Sequence, residues 1–88
     1  MHEHSLIKNL IKKIESIARE NNAKTVKSFK IKLGALSHTT PEHFKEHFYE
    51  LSNGSIVHDA EIEFIISKDL DDPLAHEIVL ESVEVENN

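Results

Sequence analysis

Apolar residues recur at helical spacing from the start of the chain. Leu6, Ile7, Leu10, Ile11, Ile14, Ile17 and Ala18 share one side, and Lys8, Lys12, Lys13, Glu15, Arg19 and Glu20 occupy the other. The pattern predicts an amphipathic helix over residues 5–22, closed by Asn21-Asn22. The period then falls to two. Across residues 25–33, Phe29, Ile31 and Leu33 alternate with Lys30 and Lys32 in a half-buried strand, with Val26 out of phase. Gly34 stops it. Thr40-Pro41 supplies an N-cap followed by proline at the first helical position. Phe44, Phe48 and Leu51 form the stripe of this second helix, which Asn53-Gly54 should end. Ala60, Ile62, Phe64 and Ile66 alternate with Glu61 and Glu63 in a second strand, and Ile65 interrupts the polar side, which predicts partial cover there. A last strand over residues 77–85 places Ile78 and Leu80 in one phase and Val83 and Val85 in the other. One strand satisfies both sets only with a bulge near Glu81-Ser82.

The order α-β-α-β-β points to an α+β fold, an α/β two-layer arrangement of a small three-stranded mixed sheet with two helices. Strand, helix and strand between Thr25 and Ile66 predict a right-handed crossover between parallel strands, and the short connection before Glu77 predicts an antiparallel final pair. Both helices should bury the Phe29, Ile31 and Leu33 face. With 88 residues the expectation is a single domain, 1–88. A domain of this size buries roughly 60–65% of its unfolded surface.

Charge and composition remove several function classes. A formal net charge of −6 and a pI near 5.6 argue against nucleic acid as a partner. Runs such as Ile62 to Ile66 are too short to cross a bilayer and no signal peptide precedes the first helix pattern, so the expected location is cytoplasmic, with no membrane partner. The chain has no cysteine, which excludes disulfides, thiolate catalysis, iron–sulfur clusters and Cys-based zinc sites. Ser5, Ser37 and Thr40 lack the spacing of a nucleophile, and Gly34 and Gly54 are the only glycines, too few for a phosphate loop. Glu61 and Glu63 read as a solvated stripe. The chain is therefore not expected to be an enzyme.

Seven histidines stand at positions 2, 4, 38, 43, 47, 58 and 76, without forming a run. The chain opens Met1-His2-Glu3-His4-Ser5. Methionine before bulky histidine is poorly removed, so the free amine should stay on Met1. The amine, the following amide nitrogens and the His2 ring can close small rings around one ion, a planar nitrogen set suited to Ni(II) or Cu(II). Zn(II) prefers a tetrahedron. Taken alone, a frayed and solvated terminus explains these residues better, so the motif needs support elsewhere. His43 and His47 lie four apart on the second helix, the spacing at which two imidazoles share a metal. The plainer reading has His43 solvated and His47 beside the Phe44/Phe48 stripe. His38, in the turn before Pro41, and His58, beside Asp59, read first as loop residues.

Several segments in order resemble the HypA/HybF family of nickel metallochaperones in hydrogenase maturation. Met1-His2-Glu3-His4-Ser5-Leu6 is similar to the family's Met-His-Glu-x-Ser start, and Ala23-Lys24-Thr25-Val26 to Leu33-Gly34-Ala35-Leu36-Ser37 resembles its first strand and turn. Pro41-Glu42, Phe48-Tyr49-Glu50-Leu51, Gly54-Ser55-Ile56, Ala60-Glu61-Ile62-Glu63 and Leu80-Glu81-Ser82-Val83-Glu84-Val85 follow in the same order. Three departures stand out. The family inserts a zinc domain with two CxxC pairs between its last two strands, where this chain has only residues 68–76, so no structural zinc is expected. Ala35 replaces the usual Glu of the Gly-Glu-Leu-Ser turn, and His4 occupies a position not fixed as His.

The resemblance implies nickel held by His2 with the Met1 amine and backbone nitrogens, with Glu3 beside it. His4 supplies either a further ring nitrogen or an exposed side chain, and His76 stands where the zinc module is missing. The implied cargo is Ni(II). The implied partners are the GTPase HypB and a hydrogenase large subunit, with urease as recipient in some organisms. The alternative is a divergent HypA-like interaction module that no longer carries metal.

Overall fold

The computed structural model describes residues 3–87. Its elements run α1 (Glu3–Glu20), β1 (Thr25–Leu33), α2 (Pro41–Leu51), β2 (Glu61–Ile66) and β3 (Ile78–Glu86). The order and the bounds of β1 are those expected, whereas α1 starts and ends two residues early. Its end is set by a backbone motif. Asn22 takes φ 55°, its N–H donates to the Arg19 carbonyl, and the Ala23 N–H donates to the Ala18 carbonyl at 2.9 Å. That pairing is a Schellman closure, with asparagine in the left-handed position. At the start of α2 the Thr40 side chain accepts from the His43 N–H, and Pro41 opens the helix. The helix stops at Ser52, whose N–H donates to the Phe48 carbonyl, just short of the expected Asn53-Gly54.

The sheet order is β2-β1-β3. β1 pairs parallel with β2, from Ser28↔Glu61 to Leu33↔Ile66, as the strand–helix–strand reading predicts. β1 also pairs antiparallel with β3, from Thr25↔Glu86 to Leu33↔Ile78, which corrects the expectation of an antiparallel pair made by the two final strands. The reason lies in the connection. Eleven residues separate β2 from β3, enough chain to cross the end of β1, two strand spacings or about 10 Å. β3 gains a position beneath α1, where Ile78, Leu80, Val83 and Val85 pack against the core.

Register shifts occur at two places. Ser82 pairs with Lys30 while Leu80 pairs with Ile31, so Glu81 is the extra residue of the expected bulge. It lets Leu80 and Val83 both face inward. A second shift, between Val26 and Ser28, turns Val26 into the core and accounts for its apparent phase error.

The core lies between the helices and one sheet face. Ile7, Ile14, Phe29, Ile31, Leu33, Phe44, Phe48 and Val57 are at most 2% exposed. Phe48 meets Phe29 at 5.3 Å between ring centroids, and Phe44 meets Phe64 edge-on at 5.7 Å. The opposite face carries the ion pairs Lys27–Glu84 and Lys30–Glu63. Ile65 is 40% exposed and Ile66 60%, so the cover expected over Ile65 is not formed. It stands on an edge strand.

The connection from β2 to β3 is fastened to the end of β1. Ser67 N–H donates to the Leu33 carbonyl, Gly34 N–H to Glu77 and Leu36 N–H to Ala75, the last at 2.7 Å. A methyl group on Gly34 would run into the Ala75 carbonyl. Gly34→Ala should therefore cost about 1–3 kcal/mol, the range of an overpacked site. Urea unfolding should show a lower midpoint, with faster amide exchange at Gly34 and Leu36. An unchanged midpoint would mean that the backbone contact has no energetic weight.

Candidate functional site

The expected chelate begins with Met1 and His2, which lie outside the described residues. Glu3 is the first residue of α1. The N–H groups of a helix's first turn have no carbonyl four residues behind them, so nitrogen atoms at this end carry no helical hydrogen bond.

His4 is exposed on the first turn of α1 and reaches across to α2. Its Nε2 lies 2.9 Å from Nδ1 of half-buried His47, with the rings edge-on at 77° and their centroids 4.7 Å apart. His43 lies one turn before His47, its ring centroid 5.1 Å away and tilted by 46°. The i, i+4 pair is thus in contact, but the ring that meets a nitrogen of His47 is His4. Among the described residues, no three histidine, aspartate or glutamate side chains converge on one point.

Two other histidines flank the same helix end. His38, with φ 58°, and His76 line one shallow groove with Leu6, Leu36, Thr39 and Glu77. His58 has a packing role: its Nδ1 lies 3.0 Å from the fully buried Ser52 hydroxyl, and its ring meets Tyr49 edge-on. The contact between His4 and His47 joins residues 43 apart in sequence and left no local signal.

His76 is positioned by its loop. Asp72 accepts from the Leu74 N–H through Oδ1 and from Lys32 Nζ through Oδ2, both at 2.9 Å. The Leu74 amide, then the Lys32 ammonium, hold the Asp72 carboxyl below its usual pKa, while the hydrogen bond and charge of Asp72 raise that of Lys32. The bridge ties the loop to the central strand on the outer face.

Two covering helices on one sheet face, with imidazoles gathered at the start of the first, define a small α/β domain whose candidate chemistry is nitrogen donation. The chain belongs to the HypA family: the family model described as "Hydrogenase/urease nickel incorporation, metallochaperone, hypA" matches residues 1–69. It is 37% identical over 68 residues to a hydrogenase maturation factor HypA from Aquifex aeolicus, covering 77% of this chain and 59% of that protein. It is 38% identical over 63 residues to a hydrogenase maturation factor HypA from Moorella thermoacetica, covering 72% of this chain and 56% of that one. The chain thus spans less than two thirds of these relatives' length. The fold is also similar to the solution structure of the Ni metallochaperone HypA from Helicobacter pylori, with TM-score 0.81, 20% identity and full coverage of both chains.

The Lys32–Asp72 bridge sets a pH dependence. Asp72 has a lowered pKa in the folded state, so its contribution is present above the ordinary carboxylate value of about 3.9 and lost as pH falls through the folded value. Lys32 has a raised one, so its contribution holds below about 10.4 and is lost as pH rises through the folded value. Asp72→Asn should lower the melting temperature by a few degrees near neutral pH, and the two proteins should converge at the acid end. A constant gap down to the lowest measurable pH would overturn this assignment.

Proposed function

We propose that this chain binds Ni(II) at its amino end and delivers it during hydrogenase maturation. The observation that carries the reading is the family match over residues 1–69, which includes Met1, His2, Glu3 and His4. The nitrogen set is the Met1 amine, the amide nitrogens that follow and the His2 ring, with Glu3 alongside. Its chemistry suits nickel as cargo. Two deprotonated amides cancel the charge of one divalent ion, and the positive end of a helix dipole favours that deprotonation.

A site made of the first residues exchanges ligands without unfolding the domain beneath it, which serves transfer better than storage. Delivery needs a receiving partner. The GTPase HypB and a hydrogenase large subunit fill that role, with urease as a second recipient, and the work is done in the cytoplasm. The protein acts as a carrier and not as an enzyme. Residues 68–76 stand where the family's zinc domain would be inserted, and with no cysteine in the chain this domain performs the task without structural zinc.

Ni(II) added to protein with an authentic Met1 amine should give one stoichiometric site with the visible absorption of planar nickel. His2→Ala and an amino-terminally extended form should each abolish that absorption. Affinity should fall by at least about tenfold per pH unit on acidification, because each amide must release a proton. Planar absorption surviving both changes would overturn the terminal site, and no nickel uptake at all would favour a metal-free interaction module.

A further inference from the structure

The geometry points to a second metal site, with side-chain ligands of its own, in which His4 Nε2 and His47 Nδ1 hold one divalent ion between the start of α1 and the middle of α2. The two nitrogens are already 2.9 Å apart. Two imidazole nitrogens bound at about 2.1 Å to one ion, at right angles to each other, stand about 3.0 Å apart. The spacing across this pair is therefore that of adjacent ligands on a square-planar or octahedral ion. Tetrahedral ligation would open it to about 3.4 Å.

Little has to move. In the hydrogen-bonded arrangement one ring donates and the other accepts along the line between them. An ion needs both lone pairs aimed at a point beside that line, with each ring carrying its hydrogen on the other nitrogen. His4 is exposed and His47 half-buried, so the shift is a ring rotation about soft terminal torsions. The edge-on angle of 77° lets two adjacent ligands sit without ring clash. His43 contacts His47 from the preceding turn and limits the directions in which that ring can swing.

Imidazole donors select late first-row divalent ions over magnesium or calcium. Among the described residues this pair supplies two ligands, and water at the remaining positions would let the ion exchange readily. A six-coordinate Ni(II) there has two unpaired electrons, whereas planar Ni(II) at the amide-rich terminus has none. The two sites therefore differ in spectroscopy as well as in residues. This inference does not rest on the terminal site.

The test is Ni(II) titration followed by calorimetry, visible absorption and proton NMR of the histidine rings, in wild type, His2→Ala, His4→Gln and His47→Gln. Wild type should take up a second, weaker equivalent that broadens the His4 and His47 ring signals. His2→Ala should lose planar absorption and keep that broadening. His4→Gln and His47→Gln should each weaken the second equivalent at least tenfold, and His47→Gln should keep planar absorption. Far-UV circular dichroism checks the fold, and exposed His4 provides the readout should His47→Gln unfold. A second equivalent that survives both glutamine variants, or no second equivalent in wild type, would overturn the proposal. Missing planar absorption alongside intact ring broadening would instead count against the terminal site alone.

Discussion

The sheet is covered on one face, and the positions of both helices follow from that constraint. β1 is the central strand, and its inward residues Phe29, Ile31 and Leu33 are almost fully buried, whereas its outward Lys27 and Lys30 pair with Glu84 and Glu63 on the neighbouring strands. The apolar face of this three-stranded sheet cannot bury itself, so α1 and α2 lie on the same side of it. Two helices sharing one face touch each other. Ser55 just beyond α2 donates to Glu15 of α1 at 2.7 Å, and at the other end of α1 His4 meets His47. The histidine pair is thus a consequence of burying one face of the sheet.

The exit of β1 carries a second constraint. The chain must leave the edge strand β2, cross the end of β1 and return as β3, and it does so over Gly34, where a side chain would collide with Ala75. Backbone hydrogen bonds from Gly34 and Leu36 and the Lys32–Asp72 bridge fix the crossing. These contacts place His76 in the groove beside Leu6. A connection of this kind can vary in length as long as its two ends reach the same places, because the loop's interior makes few demands on the core. The family-model match stops at residue 69, inside this connection, while the structural likeness extends over the whole chain.

Local periodicity made most of the fold legible. The stripe from Leu6 to Ala18, the alternation around Ile31 and the Thr40-Pro41 cap each depend on residues within a few positions of one another, and each element formed where its pattern stood. The two-phase pattern of Ile78, Leu80, Val83 and Val85 was legible for the same reason, since a bulge at Glu81 is the local way to bury both pairs. The neighbour of β3 was not. Strand order depends on which edge of β1 lies beneath an uncovered helix, and no local pattern records that. The histidines divide in the same way: the i, i+4 spacing of His43 and His47 showed in the sequence, whereas the contact between His4 and His47 exists only after α1 and α2 settle on one face.

The same division separates rigid from exchangeable parts. His47 is anchored beside Phe48, which is fully buried against Phe29, so its ring has a fixed base. His4 stands on the first turn of α1, where helices fray most easily because the opening N–H groups lack partners. A nitrogen on the core side and a nitrogen on the frayed side make a contact that opens when the helix start loosens. An ion held by such a pair, as proposed above, would sit against a rigid base and leave by local motion of a single turn. The core, which begins at Ile7, need not move for that to happen.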